Sequence, residues 1–409
     1  IKINYPDRKL ENLEVCIKKN IEEQLKRIDL VSGETVGVAV GSRGIKNISE
    51  IVGHVCRELK ENGACPVIIP AMGSHGGATP AGQISVLNGL GVTEDTCGCG
   101  IVSSMESKQL GMVFDEVPVY YSSDALSLDH VICINRIKPH TKFKAPIESG
   151  VLKMLCLGLG KHDGALVYHK WALKYGFFPL LKEIAGEVIK KSNFRFGIGI
   201  IENAYDETLL IEGINSEDLF RQEERLLSIA KENMPRLPVS NADVLVIQEI
   251  GKDISGAGMD PNITGRASDL MEDDFSSIFQ TSRLAILNLS DASNGNGLGI
   301  GNADIITEKV FQALDYEMTL MNVLTGMSLK KAAIPIRMKN DEKAIQACFT
   351  TIGPIPADQV RAIIIKNTLD VSECWVSQAL YNEVLSDKMI DIVSEVKLEF
   401  DKNGELLLV

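Results

Sequence analysis

Residues 35–44 read TVGVAVGSRG, an apolar run that gives way to Ser42 and Arg43. Such a short, nearly continuous apolar run predicts a strand that is buried on both faces, as in a parallel sheet covered by helices. A helix is predicted from about 48 to 62, and a second buried strand follows at 66–70. This alternation of strand, loop and helix predicts an α/β fold.

The same alternation of strands and helices places three polar side chains in the loops that follow three predicted strands. Arg43 follows the first strand, and His75 lies in the glycine-flanked loop after the second. A third strand at 130–134 is followed by His140, which the stiff Pro139 precedes. Because ligands bind where the strands of parallel sheets end and helices begin, we expect these side chains to share one site.

The length and the second half of the chain predict a second domain of similar construction. At 409 residues the chain exceeds what one core usually fills. We therefore expect two Rossmann-like α/β domains with mainly parallel sheets and an active-site cleft between them. Residues 1–238 would be the N-terminal cofactor-binding, catalytic domain, and 239–409 the C-terminal domain that closes the cleft. The second half contains predicted strands at 243–248, 284–289 and 361–365, and a helix from about 303.

Composition excludes several classes of partner. The net charge of −13 argues against a nucleic-acid or anionic-membrane partner. The sequence contains no run of eighteen apolar residues, so no membrane span is predicted. The nine cysteines form no disulfide-like framework. We interpret them as reduced thiols of a cytoplasmic protein, and the close pair Cys97-Gly98-Cys99 as a turn with incidental thiols.

The stretch 138–170, KPHTKFKAPIESGVLKMLCLGLGKHDGALVYHK, concentrates the reactive side chains. Lys153 lies in an apolar run, where lost hydration can lower the pKa of a lysine and leave a nucleophilic amine. His140, His162 and His169 could serve as bases or as metal ligands. His162 is also typical of a helix start. Two other histidines, His54 and His130, are interpreted as structural.

The second half offers a polar, glycine-rich loop after its first strand. Residues 252–266 contain Lys252, Asn262 and Arg266, which we interpret as substrate contacts, with Lys252 or Arg266 binding an anion. The glycine-rich segment 293–301 does not fit the dinucleotide or P-loop pattern.

Taken in order, these residues resemble the nickel-pincer lactate racemase family of 2-hydroxyacid racemases and epimerases. The resemblance covers about residues 35–200 and extends more weakly into the loop at 249–266. It rests on Arg43, His75, the Pro-His pair at His140, a Ser-Gly-x-x-Lys motif ending at Lys153, and His169. Here Lys142 to Glu148 precedes the motif where the family is richer in glycine. The substrate therefore stays open between lactate, a larger hydroxy acid and a sugar acid.

The resemblance implies an isomerase with a role for each matching position. Lys153 would bind the cofactor covalently, a pyridinium-3-thioamide-5-thiocarboxylic acid mononucleotide, and His169 would complete its nickel site. His75 and His140 would be paired acid/bases, and Arg43 would orient the substrate carboxylate or lie against the pyridinium ring. Further cofactor contacts are expected from Ser42, Gly73, Ser149 and Gly150. The resemblance also implies two kinds of partner, a small 2-hydroxy acid as substrate and the proteins that make and insert the cofactor. The oligomeric state is left open.

Two other hypotheses of function stay open at this point. One is a zinc or iron hydrolase or lyase that uses His140, His162 and His169. The other is a protein that holds a nucleotide-like ligand without turning it over.

Overall fold

The chain folds into two compact units. The structure, a computed structural model, describes residues 1–267 and 273–407. The first unit comprises Pro6–His140 and Lys144–Met234, and the second unit comprises Ile1–Tyr5, Thr141–Phe143 and Pro235–Val409.

Two short segments of the N-terminal half, Ile1–Tyr5 and Thr141–Phe143, belong to the second unit. The amino-terminal strand pairs antiparallel with a late strand, Ile3 opposite Ile390. Lys142 donates from Nζ to the carbonyl of Gly326 at 2.7 Å and to Oγ of Ser328 at 2.7 Å. These contacts join residues far apart along the chain, and local sequence patterns do not encode them.

The strands of the described residues are numbered along the chain. They are β1 (Lys2–Ile3), β2 (Thr35–Val40), β3 (Cys65–Pro70), β4 (Ser107–Val113), β5 (Val117–Ser122), β6 (His130–Arg136), β7 (Phe194–Glu202), β8 (Thr208–Asn215), β9 (Asn241–Ile247), β10 (Gln280–Ile286), β11 (Ile305–Thr307), β12 (Ile336–Met338), β13 (Ala362–Ile365), β14 (Cys374–Val376), β15 (Ile390–Asp391), β16 (Glu399–Phe400) and β17 (Leu406–Leu407).

The α-helices of the same residues are numbered in the same way. They are α1 (Leu13–Leu25), α2 (Ile48–Glu61), α3 (Pro80–Gly89), α4 (Glu94–Cys97), α5 (Ser123–Leu126), α6 (Val151–Lys153), α7 (Lys161–Tyr175), α8 (Phe177–Lys191), α9 (Leu219–Glu232), α10 (Pro261–Thr264), α11 (Glu308–Ala313), α12 (Tyr316–Thr325), α13 (Asp341–Thr350) and α14 (Gln378–Val384). A π-helical turn, Met154–Gly158, continues α6.

The first unit is built on a five-stranded sheet in the order β3-β2-β6-β7-β8. The pairs β2/β3, β2/β6 and β6/β7 are parallel, and β8 is antiparallel to β7. All residues of β2 after Thr35 are buried, as the apolar run predicts. The chain runs from β2 outward to β3 on one side and returns to β6 on the other, so β2 and β6 flank the point where the strand order reverses.

The second unit has a six-stranded sheet in the order β12-β11-β10-β9-β13-β14. Its strands are parallel except for β14, which is antiparallel to β13. The predicted α/β class with mainly parallel sheets is therefore confirmed. The helix expected from about 303 begins only at Glu308, because Ile305–Thr307 forms the short strand β11. Three residues are too few to show the alternation that marks a strand in sequence.

Each sheet has its own apolar core. The core of the first unit joins β2, β3, β6 and β7 to α1 and α2, with Val38, Ile51 and Leu59 fully buried. The core of the second unit surrounds β9, β10 and β13, with Leu245 and Ile363 at its centre. Among the described residues, no helix is both long and apolar enough to cross a membrane.

Candidate active site

The candidate site lies in the first unit, at the carboxyl ends of β3, β2 and β6. In parallel sheets the crevice at the reversal of strand order is where ligands bind. Gly41, the first residue after β2, lies at that reversal. A Cβ built on Gly41 would lie 3.4 Å from Sδ of Met154 and 3.7 Å from Oδ1 of Asn135. The ends of β2 and β6 therefore meet the helical turn that follows Lys153.

Arg43 extends from this turn with its side chain exposed. Surrounding protein groups nevertheless desolvate its guanidinium, and together with the charge of Arg136 they lower the pKa of Arg43 from its ordinary value. Arg136 itself forms an ion pair with the buried carboxylate of Glu202. A guanidinium that is exposed and yet flanked by protein groups can bind a carboxylate.

His75 stands on a turn built by glycines. Its exposed ring shares a short hydrogen bond from Nδ1 to Oγ of Ser42, which links the loops after β3 and β2. Gly76 has φ of +67°, and a Cβ there would lie 2.5 Å from the backbone of Gly82. The helix α3 starts as predicted, with Oγ1 of Thr79 accepting a hydrogen bond from the Gly82 N–H at 3.1 Å. The turn after His75 thus requires glycine at position 76. This turn and the hydrogen bond to Ser42 together hold the His75 ring in place.

Gly73 brings the His75 loop against the segment that follows Lys153. Its φ is +61°, and a Cβ would lie 3.1 Å from the Leu157 carbonyl oxygen. The Gly73 N–H donates to the Gly158 carbonyl at 3.3 Å, and Nε2 of Gln83 donates to the Gly73 carbonyl at 2.9 Å. Gly73 was expected to contact a cofactor; the contact that the structure shows is this close backbone approach.

His140 and Lys153 meet directly. The distance from Nζ of Lys153 to Nε2 of His140 is 2.9 Å. The backbone of His140 is held by the buried carboxylate of Glu148, whose Oε2 accepts from the His140 N–H at 2.8 Å. Glu148 also accepts from the Ala145 N–H at 3.1 Å and pairs with Lys231. The loop between His140 and the lysine segment is therefore fixed by one carboxylate.

Lys153 is a perturbed amine. Burial lowers its pKa, and the Arg43 guanidinium lowers it further, to about 8. Desolvation disfavours the ammonium form, and a neighbouring positive charge has the same effect. At pH 7 about 9% of this side chain is therefore a free, nucleophilic amine. The sequence predicted such a lysine from its apolar neighbours, and the structure adds Arg43 as a second cause.

Glu223, on α9, supports the helix of Lys153, and no motif or spacing in the sequence pointed to it. Its buried carboxylate accepts hydrogen bonds from the Val151 N–H and, at 3.2 Å, from the Leu152 N–H. It therefore caps the first turn of α6, where the N–H groups lack partners within the helix. Burial raises the pKa of Glu223 to about 8. Gly150 leaves room for this cap, since its Cβ would lie 2.3 Å from Oε1 of Glu223.

Ser149 and Gly150 shape the entry to α6. Oγ of Ser149 donates to the Lys138 carbonyl at 2.6 Å and accepts from the Lys138 N–H at 2.9 Å. The Gly150 carbonyl accepts from Nδ2 of Asn135 at 2.8 Å. Both were predicted cofactor contacts. In the structure they connect the end of β6 to the helix that carries Lys153.

Lys161 is a second buried lysine, which its sequence neighbours do not mark as unusual. It is fully buried at the start of α7, and Nζ donates to the Pro70 carbonyl at the end of β3 at 2.9 Å. Burial lowers its pKa to about 8, while the carboxylate of Asp124 acts in the opposite direction. Its neighbour His162 was the more visible residue in the sequence.

The other histidines of this stretch lie on α7. His169 is partly buried, and its ring packs edge-on against Tyr168 with centroids 5.7 Å apart. Nδ1 of His162 is buried without a hydrogen-bond partner. Across the residues that the structure describes, no group of three or more His, Cys, Asp or Glu side chains could hold a metal ion. His140, His162 and His169 are thus not gathered into a metal site of their own.

Two histidines lie apart from this group. Nε2 of His130 lies 2.9 Å from a Glu34 oxygen, and its Nδ1 accepts from Nε of Arg195 at 2.9 Å. His54 lies on α2 within 3.7 Å of Glu50. Both sets of contacts are structural.

The three second-half candidates belong to the second unit and are engaged there. Lys252 donates from Nζ to the Gly256 carbonyl at 3.1 Å, and Asn262 donates from Nδ2 to Asp260 at 2.9 Å. Arg266 binds both carboxylate oxygens of Asp304 at 3.3 and 2.9 Å. It also donates to the Thr281 carbonyl at the start of β10, which is the sheet edge opposite to the carboxyl ends. These contacts lie within the second unit, and a role of the three residues in substrate binding stays a prediction.

The first unit thus combines, in one place, a crowded arginine, a weakly basic lysine amine and a histidine in contact with that amine. A second histidine follows β3, on the other side of β2. Such a group can bind an anion, form a covalent bond through the amine, and transfer protons through the imidazoles.

No protein-family model and no curated protein matches the chain. Among solved structures, the lactate racemase apoprotein from Thermoanaerobacterium thermosaccharolyticum is similar, with a TM-score of 0.52 and 12% identity over 91% of this chain and 99% of that chain. A protein from Thermotoga maritima matches with a TM-score of 0.49 and 14% identity over 78% of this chain and 81% of that chain. The likeness to the racemase apoprotein shows that the two chains share a fold.

Proposed function

We propose that this protein is a racemase or epimerase of a 2-hydroxy acid that acts with a nickel-pincer nucleotide bound to Lys153. The observation that carries the proposal is the contact between Lys153 and His140, beside Arg43, at the reversal of strand order. The shared fold with a lactate racemase apoprotein supports it. The proposed substrate class includes lactate, larger hydroxy acids and sugar acids.

The residues fit the proposed cofactor by their chemistry. Covalent attachment needs an amine that is free near neutral pH, and Lys153, with a pKa of about 8, supplies one. Attachment as an amide-type bond removes the positive charge of Lys153, which relieves its repulsion with Arg43. His169 is the residue that would complete the nickel site, since imidazole is a suitable nickel ligand. When bound, the nucleotide supplies the acceptor and donor of a hydride.

Arg43 is the proposed anchor for the substrate carboxylate. Its side chain is exposed at the crevice. The nearby carboxylate of Glu202 pairs with Arg136, so the charge of Arg43 is available to bind an anion. A guanidinium can bind a carboxylate through two parallel hydrogen bonds, which fixes the orientation of the acid as well as its position. The α-carbon and its hydroxyl are then held at a defined distance from both neighbouring loops.

His75 and His140 are the proposed acid/base pair. They follow β3 and β6, and β2, which leads to Arg43, lies between those strands. Adjacent strands are spaced by about 4.8 Å, so the two strands end about 10 Å apart, with room for a small acid between the loops. One imidazole would accept the hydroxyl proton of one enantiomer, and the second imidazole would accept that of the other. Racemisation in both directions needs both bases.

The decisive experiment is intact mass and nickel analysis of the protein produced together with the proteins that make and insert the cofactor. We expect an adduct of a few hundred daltons on Lys153 and about one nickel per chain, as a single metal site completed by His169 would require. Lys161 is the matched control within the same protein, because burial gives it a pKa of about 8 as well. Peptide mapping should place the adduct on Lys153 and leave Lys161 unmodified.

Variants separate the proposed roles. Lys153→Ala should lose the adduct and all racemisation of 2-hydroxy acids. His75→Ala and His140→Ala should keep the adduct and lose turnover. A protein without an adduct under these conditions, or a Lys153→Ala variant that racemises normally, would refute the assignment. Adduct and nickel without any turnover would instead identify a protein that only holds the ligand.

A further inference from the structure

Three thiols of the first unit come together beside β3, away from the residues of the candidate site. Cys56 is buried on α2, Cys97 is buried at the end of α4, and Cys99, one residue beyond Gly98, is partly exposed. The Sγ atoms of Cys56 and Cys99 lie 3.5 Å apart. We propose that Cys56 and Cys99 form a reversible dithiol–disulfide pair, in which Cys99 is the thiol that a peroxide oxidises first.

The backbone on both sides of this contact is fixed. Cys56 lies in the interior of a fourteen-residue helix. The segment after Cys99 is tied to β3, since the Ile68 N–H donates to the Gly100 carbonyl at 2.9 Å and the Val102 N–H donates to the Ile68 carbonyl at 2.9 Å. A disulfide bond is about 2.05 Å long, so the two sulfur atoms must approach by only about 1.5 Å. Side-chain rotation and small shifts can supply such a movement.

The helix α2 also packs closely against α4. A Cβ on Gly53 would lie 3.0 Å from the Thr96 carbonyl oxygen, so glycine permits the close approach that brings Cys56 near the Cys97-Gly98-Cys99 segment. Gly98, with φ of +65°, ends α4 in the left-handed region, and Nζ of Lys60 donates to its carbonyl. The turn is therefore anchored to the helix that carries Cys56.

The surroundings divide the roles of the two thiols. A hydrogen bond with Cys56 and the charge of Lys60 lower the pKa of Cys99, against the effect of its partial burial. The same thiol contact, and then burial, raise the pKa of Cys56. Since the thiolate is the reactive form, the accessible Cys99 reacts with an oxidant before the buried Cys56 does.

The chemistry balances with hydrogen peroxide as the oxidant. The Cys99 thiolate attacks one peroxide oxygen, the O–O bond breaks, and a sulfenic acid forms while hydroxide leaves and is protonated to water. The Cys56 sulfur then attacks the Cys99 sulfur, the S–O bond breaks, and the second oxygen leaves as water. Two thiols lose two electrons and two protons in all, and one peroxide becomes two waters. A dithiol reductant reverses the result by exchange.

The disulfide would connect α2 to the segment that extends the sheet beside β3. It closes a loop from Cys56 to Cys99, which restricts the unfolded chain and so stabilises the first unit. Ile101 pairs in parallel with Ile68, so Cys99 lies beside the first half of β3, whereas His75 follows the carboxyl end of that strand. The expected effect of oxidation is therefore on stability.

The test uses the full-length wild-type protein, reduced and then treated with stoichiometric hydrogen peroxide. We expect the loss of two titratable thiols, a cross-linked Cys56–Cys99 peptide under non-reducing digestion, and full recovery with dithiothreitol. The oxidised protein should melt about 5–10 °C higher than the reduced protein. In a Cys56→Ser variant, Cys99 should stop at a sulfenic acid that dimedone traps.

Cys65→Ser is the matched control, because Cys65 is exposed and lies on β3 outside the cluster. That variant should still form the Cys56–Cys99 link. Oxidation of Cys65 while Cys56 and Cys99 stay free would overturn the proposal. So would a cross-link between Cys97 and Cys99, which would show that the short motif pairs with itself.

Discussion

The amine of Lys153 should titrate well below an ordinary lysine, and this can be measured without any cofactor. With a pKa of about 8, about 9% of the side chain is free amine at pH 7, against about 0.04% for a lysine with the reference pKa of about 10.4. At equal access the reactive fraction is thus about 200-fold larger. Trace acetylation across pH 6 to 10, quantified by peptide mass spectrometry, should give a profile for Lys153 with its midpoint near pH 8.

The cause of the shift can be tested in the same assay. Replacing Arg43 by Gln removes a positive charge that lowers the pKa of Lys153, so the midpoint of the profile should move to higher pH. Lys161 serves as the internal control, since it shares the pKa of about 8 but is fully buried and should be labelled far more slowly. A midpoint near pH 10 that does not respond to Arg43→Gln would refute the argument that burial and Arg43 activate this amine.

Three further predictions follow from particular contacts. Glu223 has a folded-state pKa raised to about 8, so the stability it contributes is fully present below the pKa of about 4.5 of the unfolded chain and is lost as pH rises towards 8. Urea unfolding should therefore show wild type losing up to a few kcal/mol relative to Glu223→Gln between pH 5 and pH 8; a gap that is constant with pH would contradict this. Gly76→Ala should lower the melting temperature more than Gly77→Ala, because both residues have positive φ but only Gly76 has backbone 2.5 Å from the new Cβ; equal losses would show that the loop relaxes freely. Arg266→Met should cost about 1–3 kcal/mol in unfolding free energy through the lost hydrogen bonds to Asp304. It should leave Lys153 acetylation unchanged, and a changed profile would point to a role in the site.

Much of the candidate site could be anticipated because it follows from local sequence. Arg43, His75 and His140 each lie in the loop after a parallel strand, and the carboxyl ends of parallel strands lie on one edge of a sheet. Lys153 could be recognised from its apolar neighbours alone. The second-half candidates were less well founded, because a polar, glycine-rich loop looks the same in sequence whether its side chains face a ligand or, as with Arg266 and Asp304, each other.

The sequence by itself determined the local elements of this protein. Apolar runs such as 35–41 specify buried strands, and the residue that interrupts each run specifies where a loop begins. Only the tertiary structure decided which loops meet. The order β3-β2-β6 places Arg43 between the two histidine loops. Glu223 accepts a hydrogen bond from the Val151 N–H, 72 positions earlier in the chain, and so caps the helix of Lys153. Cys56 lies next to Cys99, 43 positions later in the chain. Such contacts depend on the packing of elements that are distant in the chain, whereas periodicity and turn chemistry describe only neighbouring residues.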